Sequence, residues 1–524
     1  MGSAINLQKK ELNVMSELHM NARLYRENLL SDPYRPAYHF AIPDGDGRPG
    51  DSNGAFFADG RYHLMYLYHN AQTDAFHWGH ISSHDLLHWR HHPDALGSEN
   101  GDRGCFSGGA FVDEDGTAYL TFWKFPAKDG SDPGGIDIAF AWPPYDKWER
   151  LRPLAIPGGE IWGVADVAVN GAMEHVGCAD PSNIWKKDGW YYLETGNKVV
   201  LDTYGRGDSA PEKYRGDWVD LFRSKDLHDW SYVARFYEHG PRREGWPDET
   251  EDDMCPSFLP LPDAKAGGRL TDKWLQLFIS HNKGAQYYIG ALNGERFTPE
   301  QHGRFSWKDN AFFAPEALID GKNRQIMWSW LLDNVEDDMA RWGWSGVYNF
   351  PRVLWYENDT LRMAPAEELA LLQANPQRFE AGRVIGETPL AVQNGESFRL
   401  RARIDMKSAS RAGFAVRADT AKDERTEIYY DSAKGELVMD TTRSGWTGWR
   451  VREAAPFRLA EGEKLSLDVF VDKSVVEVYA NEQQAICRRV YPSDPASAVG
   501  VRTLSDGADF GCVDAWEIMP ANPW

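Results

Sequence analysis

The 524-residue chain lacks the marks of several common protein classes. No apolar run is long enough to span a bilayer, which argues against a membrane-embedded protein. The opening MGSAINLQKKELNVMSEL has no continuous apolar stretch of the kind a secretory leader needs. The expected location is cytoplasmic, or secreted if an export signal has been removed. Basic residues are in deficit, 57 Lys and Arg against 79 Asp and Glu, for a net charge of −22. Such a chain repels phosphate backbones and anionic lipid, so neither nucleic acid nor a membrane surface is expected as a partner. Cysteine is scarce: Cys105, Cys178, Cys255, Cys487 and Cys512 are odd in number, far apart and without a CxxC pair. That excludes the usual structural zinc and dithiol redox motifs and reads as free thiols in a reducing compartment.

Aromatic residues, by contrast, are abundant at 13%, with 22 Trp. They suit a large β core or faces on which sugars stack. The length suggests two domains. From Ala55 to Trp330 one phrase recurs, an apolar pair, a polar turn and an alternating aromatic strand: AFFADGRYHLMYLY, AFVDEDGTAYLTFW, IWKKDGWYYLETG, FLPLPDAKAGGRLTDKWLQLFIS and ALIDGKNRQIMWSW. Each reads as a β-hairpin, because Asp-Gly or Gly supplies the turn and period-two alternation the strands. A second phrase, SSHDLLHWRHHP at 82–93 and RSKDLHDWSYVARF at 223–236, follows the first and third hairpins as the outer part of the same unit. Recurrence near every ~50 residues, with four strands each, predicts a five-bladed β-propeller over 35–363, after an N-terminal extension at 1–34. APAEELALLQANP marks a short helical stretch in a linker at 364–384. Strictly alternating strands from 385 to 524 then predict a C-terminal β-sandwich with a supporting role. The fold class is all-β.

In a propeller the first strand of each blade lines a central funnel, so acids near those strand starts converge although far apart in sequence. Asp51 precedes the first hairpin, Asp180 (in CADPSNIW) the third, and Glu251-Asp252-Asp253 (in EDDMCPSF) the fourth. Alone, the Asp51-Ser-Asn-Gly stretch would be read as a turn. Gathered, such acids raise one another's pKa, and a charged carboxylate paired with a protonated one is what glycoside hydrolysis requires.

The chain resembles glycoside hydrolase family 32, the β-fructofuranosidases, invertases, inulinases and levanases. The resemblance is carried in order by RPAYHFAIPDGDGRPGDSNGAFFADGRYHLMY, HWGHISSHDLLHW, CFSGGAF, CADPSNIW, MCPSF, FFAPEAL, GWSGVYNFPR and LDVFVDKSVVEVYAN. It implies a retaining mechanism on β-linked fructose. Asp51 matches the nucleophile, and Asp180 the acid that holds fructose hydroxyls and stabilises the transition state. Asn53, Trp78, Phe106 and Ser107 match positions that shape the fructose pocket. The family's acid/base, a Glu directly before Cys-Pro, is replaced here by Met254. Glu251 is the first choice of substitute, because divergent members of the family carry a Glu-Asp pair just upstream of this strand and a bulge could redirect its longer arm into the funnel; Asp252 follows closely, favoured by strand parity with Met254. Glu316, in FFAPEAL, is a further acid of the funnel, placed with the substrate-binding positions and next in line as donor. Gly50, Leu67 and Ala179 replace a family Asn, Gln and Arg, so the hydrogen bonds to fructose must be supplied differently.

No cofactor and no metal is expected. His77, His80, His84, His88, His91 and His92 cluster, but the strand pattern around Trp78-Gly79 argues against a helical zinc site and HExxH is absent. DNVEDDMAR at 333–341 lacks the alternating spacing of a calcium loop. The expected partner is a β-fructoside. The leading reading is a hydrolase of sucrose-type or fructan linkages; its rivals are a fructosyltransferase, including a cyclising one, and a fructan-binding protein without catalysis.

Overall fold

The structure, a computed structural model, describes residues 31–42, 49–99, 101–238, 252–332 and 344–521. Glu251 and the whole DNVEDDMAR stretch at 333–341 lie outside them. Five antiparallel four-stranded units follow one another, each in simple meander order. Blade I is built from Pro49–Ala58, Arg61–Asn70, Ala75–Ser83 and Arg90–Leu96. Blade II has Ala110–Val112, Ala118–Lys124, Gly135–Ala141 and Ile156–Pro157. Blade III comprises Ala179–Pro181 (with Trp185–Lys187), Trp190–Gly196, Trp218–Ser224 and Trp230–Glu238. Blade IV comprises Met254–Pro262, Leu270–Ser280, Gly284–Asn293 and Arg296–Arg304. Blade V has Phe312–Ile319, Gln325–Leu331, Arg352–Glu357 and Thr360–Pro365. The five expected hairpins are the first two strands of the five blades.

The local chemistry explains the repetition. Asp59-Gly60 and Asp188-Gly189 both have positive φ at each residue, the backbone of a tight turn that matches strand twist. The second phrase also has a shared geometry. Ser83 donates to Asp85 Oδ1 and Ser224 to Asp226 Oδ1, each at 3.0 Å, and each aspartate accepts two following backbone N–H groups. Leu86 and Leu227 are thereby held at φ 65° and 67° and buried. One hairpin was not expected, Val164–Val169 with Ala172–Gly177, inserted between blades II and III. Blade V closes on blade I through Ser52, whose hydroxyl donates to the Ala314 carbonyl at 2.8 Å.

Of the stretch expected as a linker, Ala364 and Pro365 end blade V, Glu367–Leu372 is a short 3₁₀ helix, and Gln373 already begins an 18-residue strand, Gln373–Leu390. That strand runs antiparallel to Gly500–Ile518. The other edge of Gly500–Ile518 pairs with Arg411–Asp419 near its start and Ser397–Asp405 near its end. A single strand therefore serves both layers of the C-terminal unit, and the core between them is apolar, with Phe398, Leu400, Phe414, Ile428, Leu467, Val469, Val478 and Phe510. The two units are joined by buried charge. Arg352 of blade V donates to Glu477 at 2.9 Å with both side chains fully buried. Asp472 accepts the backbone N–H of Ala37, Tyr38 and His39, and the His39 ring, at 2.7–2.9 Å.

Candidate active site

The first strands of blades I, III, IV and V share an irregularity where they enter the funnel. Gly50 and Asp51 together face the single Leu67, and Asp180 is an extra residue between the pairs Ala179–Gly196 and Pro181–Thr195. Leu67 and Gly196 lie equally far from their Asp-Gly turns, so the two aspartates are level. In blades IV and V the ladder shifts at Cys255-Pro256 and Ala314-Pro315. A proline cannot donate to a ladder, which confines it to bulges and edges, and a bulge re-aims the side chain it carries. Asp180, Cys255 and Ala314, each before a proline, take φ of 38°, 49° and 45°.

These bulges bring Asp51 and Asp180 together around one thiol. Cys255 Sγ lies 3.5 Å from Asp51 Oδ2 and 3.4 Å from Asp180 Oδ2. Burial, then the charges of Asp180 and Asp51, push the thiol pKa well up, so it remains an S–H donor. Ser107 donates its hydroxyl to Asp51 Oδ2. Burial raises the Asp51 carboxyl, with Ser107 and Cys255 pulling it back. Asp180 is pushed up to about 6 by burial and then by the charge of Asp51. Tyr348 fixes the backbone beneath, donating to the carbonyls of Asp51 (2.8 Å) and Gly50 (3.2 Å).

The other expected residues divide into wall and lining. Asn53, 1% exposed, donates to the Asp51 carbonyl at 3.0 Å and accepts Gly108 N–H at 3.1 Å, a clamp between blades I and II. Trp78 is wholly buried and donates to the Phe106 carbonyl at 3.2 Å. Glu316 is buried as well; its Oε1 accepts Ala55 N–H at 3.0 Å, and burial pushes its carboxyl well up. All three are buried, and their polar atoms bond neighbouring backbone. Phe106 is half-buried beside Ser107 and packs against Phe76, Phe125 and Trp162, with ring centroids 5.0, 4.7 and 5.9 Å away. Trp162 stacks on Trp123 at 4.1 Å and Phe125 at 4.4 Å, which makes an aromatic wall near the paired aspartates.

At the opening of blade IV, Asp252 is 3% exposed. It accepts His281 Nδ1 at 3.0 Å and His281 N–H at 3.2 Å. Burial alone would raise its carboxyl, but His281 holds it below the usual range, which disfavours Asp252 as a proton donor. Asp253 turns inward, where Tyr237 donates to it at 2.5 Å and burial, with Asp217 beside it, pushes its carboxyl well up. His281, Cys255, Tyr348 and Trp162 were not singled out from sequence. Cys255 and Tyr348 stood in the quoted motifs MCPSF and GWSGVYNFPR; His281 had no signal, because its partner is 29 residues away.

The histidine cluster is arranged across three strands of blade I rather than along one segment. His63 and His80 bond each other at 2.9 Å, and His92 bonds Ser82 at 2.7 Å and Asp146 at 2.5 Å. Burial pushes His63 down to about 3, so its imidazole is neutral, and one ring nitrogen from each of His63, His80 and His92 lies within 4.8 Å of the other two. All five cysteines are free thiols, and among the described residues no helix is long and apolar enough to cross a membrane.

Comparison with known proteins agrees with this geometry. The family model for the glycosyl hydrolases family 32 N-terminal domain matches residues 47–365, and that for the family 32 C terminal matches 367–517. Sucrose-6-phosphate hydrolase of Zymomonas mobilis subsp. mobilis is 25% identical over 524 residues, covering 95% of this chain and 94% of the relative. The levanase of Bacillus subtilis is 26% identical over 497 residues, 89% of this chain and 67% of the levanase. Among solved structures, fructan 1-exohydrolase IIa from Cichorium intybus superposes with a TM-score of 0.77 at 20% identity, over 94% of this chain and 98% of that one.

Proposed function

Since the chain belongs to glycoside hydrolase family 32, we propose that it hydrolyses β-fructofuranosyl linkages of sucrose-type oligosaccharides or fructans, with retention, through a fructosyl ester on Asp51. The observation that carries this reading is the pair of level aspartates sharing the Cys255 thiol. A binding protein has no use for two carboxyls buried against each other, since such burial costs stability. A retaining hydrolase needs both. Asp51, relieved by two donors, is the stronger candidate for the charged nucleophile. Asp180 would bind fructose hydroxyls and stabilise the positive charge that develops at the anomeric carbon.

The proton donor is expected at the opening of blade IV. With Asp252 held charged by His281, Glu251 is the carboxylic acid that remains from the sequence reading. Ser107 fixes the nucleophile, and the Phe106 and Trp162 rings offer the apolar face of a sugar site. The free thiols support a cytoplasmic location.

Incubation with sucrose, inulin and levan separately, with products resolved by chromatography, tests the reading. Release of free fructose supports it. Longer or cyclic fructosyl products would make the protein a transferase, and unchanged sugars a binder.

A further inference from the structure

The position where the family carries its acid/base is held by Met254, which is 2% exposed, packs in the propeller core and has no proton to give. The structure assigns the proton-donor role to His281 Nε2, with Asp252 as its positioning residue; the assignment rests on the retaining reading above and replaces Glu251 within it.

Four observations support it. His281 follows the strand Leu270–Ser280, and Asp252 is gripped from that side three times: by Ser280 Oγ on its carbonyl (2.7 Å), by His281 N–H (3.2 Å) and by His281 Nδ1 (3.0 Å). A buried carboxylate on Nδ1 fixes the tautomer and orientation of an imidazole and leaves Nε2 as the working nitrogen. Here Nε2 has no hydrogen-bond partner among the described residues, and the side chain is 47% exposed. The ring also meets Phe313 edge-on at 5.9 Å. Phe313 adjoins Ala314, whose carbonyl accepts Ser52 beside Asp51. The imidazole thus stands between the openings of blades IV and V. Its charge is felt by both Asp51 and Asp180. The charged groups that face it are Asp252, Asp51 and Asp180, with Arg206 acting on Asp252.

The chemistry balances. As Asp51 Oδ bonds to the anomeric carbon of fructose, the bond from that carbon to the leaving oxygen breaks, and the oxygen takes the proton from His281 Nε2. The neutral imidazole then accepts a proton from water as the water oxygen attacks the anomeric carbon of the ester, the bond from that carbon to Asp51 Oδ breaks, and Asp51 leaves as carboxylate. Imidazole exchanges a proton near neutral pH, which suits both half-reactions.

The test compares full-length wild type, His281→Gln, Asp252→Asn, Glu251→Gln and Asp51→Asn on sucrose or levan and on an activated aryl β-fructoside. His281→Gln should lose about 10²–10⁴-fold on the sugars but less than about tenfold on the aryl substrate, whose leaving group needs little protonation. Azide should restore its aryl turnover and yield β-fructosyl azide. A basic limb in wild-type kcat/KM should be absent from His281→Gln. Asp252→Asn should lower kcat on the sugars with KM nearly unchanged, because the carboxylate that fixes the ring's tautomer and orientation is lost; a merely structural role for Asp252 would not produce that split. The leaving-group pattern in Glu251→Gln instead, or wild-type behaviour of His281→Gln, overturns the assignment. An active wild type with an inert Asp51→Asn keeps the retaining reading standing in that event, whereas a wild type inert on every β-fructoside overturns both.

Discussion

Cys255 donates its thiol to Asp180 at 3.4 Å from a bulge one blade away. The same sulfur lies 3.5 Å from Asp51, so one proton serves two carboxylates. Both aspartates must be charged for the proposed chemistry, and both are raised by burial. The acid limb of kcat/KM is therefore expected near pH 6, where Asp180 takes up its proton. Cys255→Ala removes a donor that lowers both groups, so the limb should move to higher pH by up to about one unit, the scale of a hydrogen bond to a charged group. Ser107→Ala should move it in the same direction. Initial rates from pH 4 to 8 check both.

Asp51→Asn should remove turnover on every substrate. The change is nearly isosteric and abolishes only the nucleophilic charge. Circular dichroism should match the wild type, and thermal unfolding at neutral pH should occur at no lower temperature, because burial raises the Asp51 carboxyl and the amide carries no charge to bury.

Asp180→Asn should be as inactive, yet more stable at neutral pH. The folded carboxyl titrates at about 6 against an ordinary 3.8. The folded chain therefore holds the proton more tightly, and stability drops as pH rises through that interval. At pH 7 the charged side chain costs on the order of 3 kcal/mol, which the amide does not incur. A higher Tm for the variant at pH 7, closing to no difference at pH 4, is the expected result of parallel scans.

The buried pair Arg352–Glu477 makes the C-terminal unit a support for blade V. Arg352 also lies 4.8 Å over the Phe312 ring, in the strand that carries Ala314. Arg352→Met or Glu477→Leu alone leaves a buried charge without its partner and should cost about 3–5 kcal/mol. The double variant should recover much of that loss, as denaturant unfolding of the three variants would show.

The propeller was legible because its information is local. Each Asp-Gly turn and alternating strand declares a hairpin without reference to the rest of the chain. Asp51 and Asp180 were legible for the same reason, since strand starts converge in any propeller. What stayed hidden depends on pairings across the fold. The bulge at Cys255 that places its sulfur between two acids of other blades has no local mark beyond the proline after it. The bond from His281 to Asp252 joins a strand end to a strand start. Trp78, Asn53 and Glu316 show the converse: motif position suggests contact with a sugar, while the fold buries all three against neighbouring backbone. The expected linker at 364–384 misses the strand from Gln373 because all of that strand's ladder partners lie in Gly500–Ile518, more than a hundred residues away in sequence.

The central claim, a fructosyl ester on Asp51 resolved with retention, is tested most directly by methanolysis. Methanol competing with water captures the intermediate as a product that does not mutarotate. The account predicts methyl β-D-fructofuranoside from sucrose or levan, identified by carbon NMR, and none from Asp51→Asn. The α anomer would contradict it, as would methyl β-fructoside formed by Asp51→Asn at the wild-type rate.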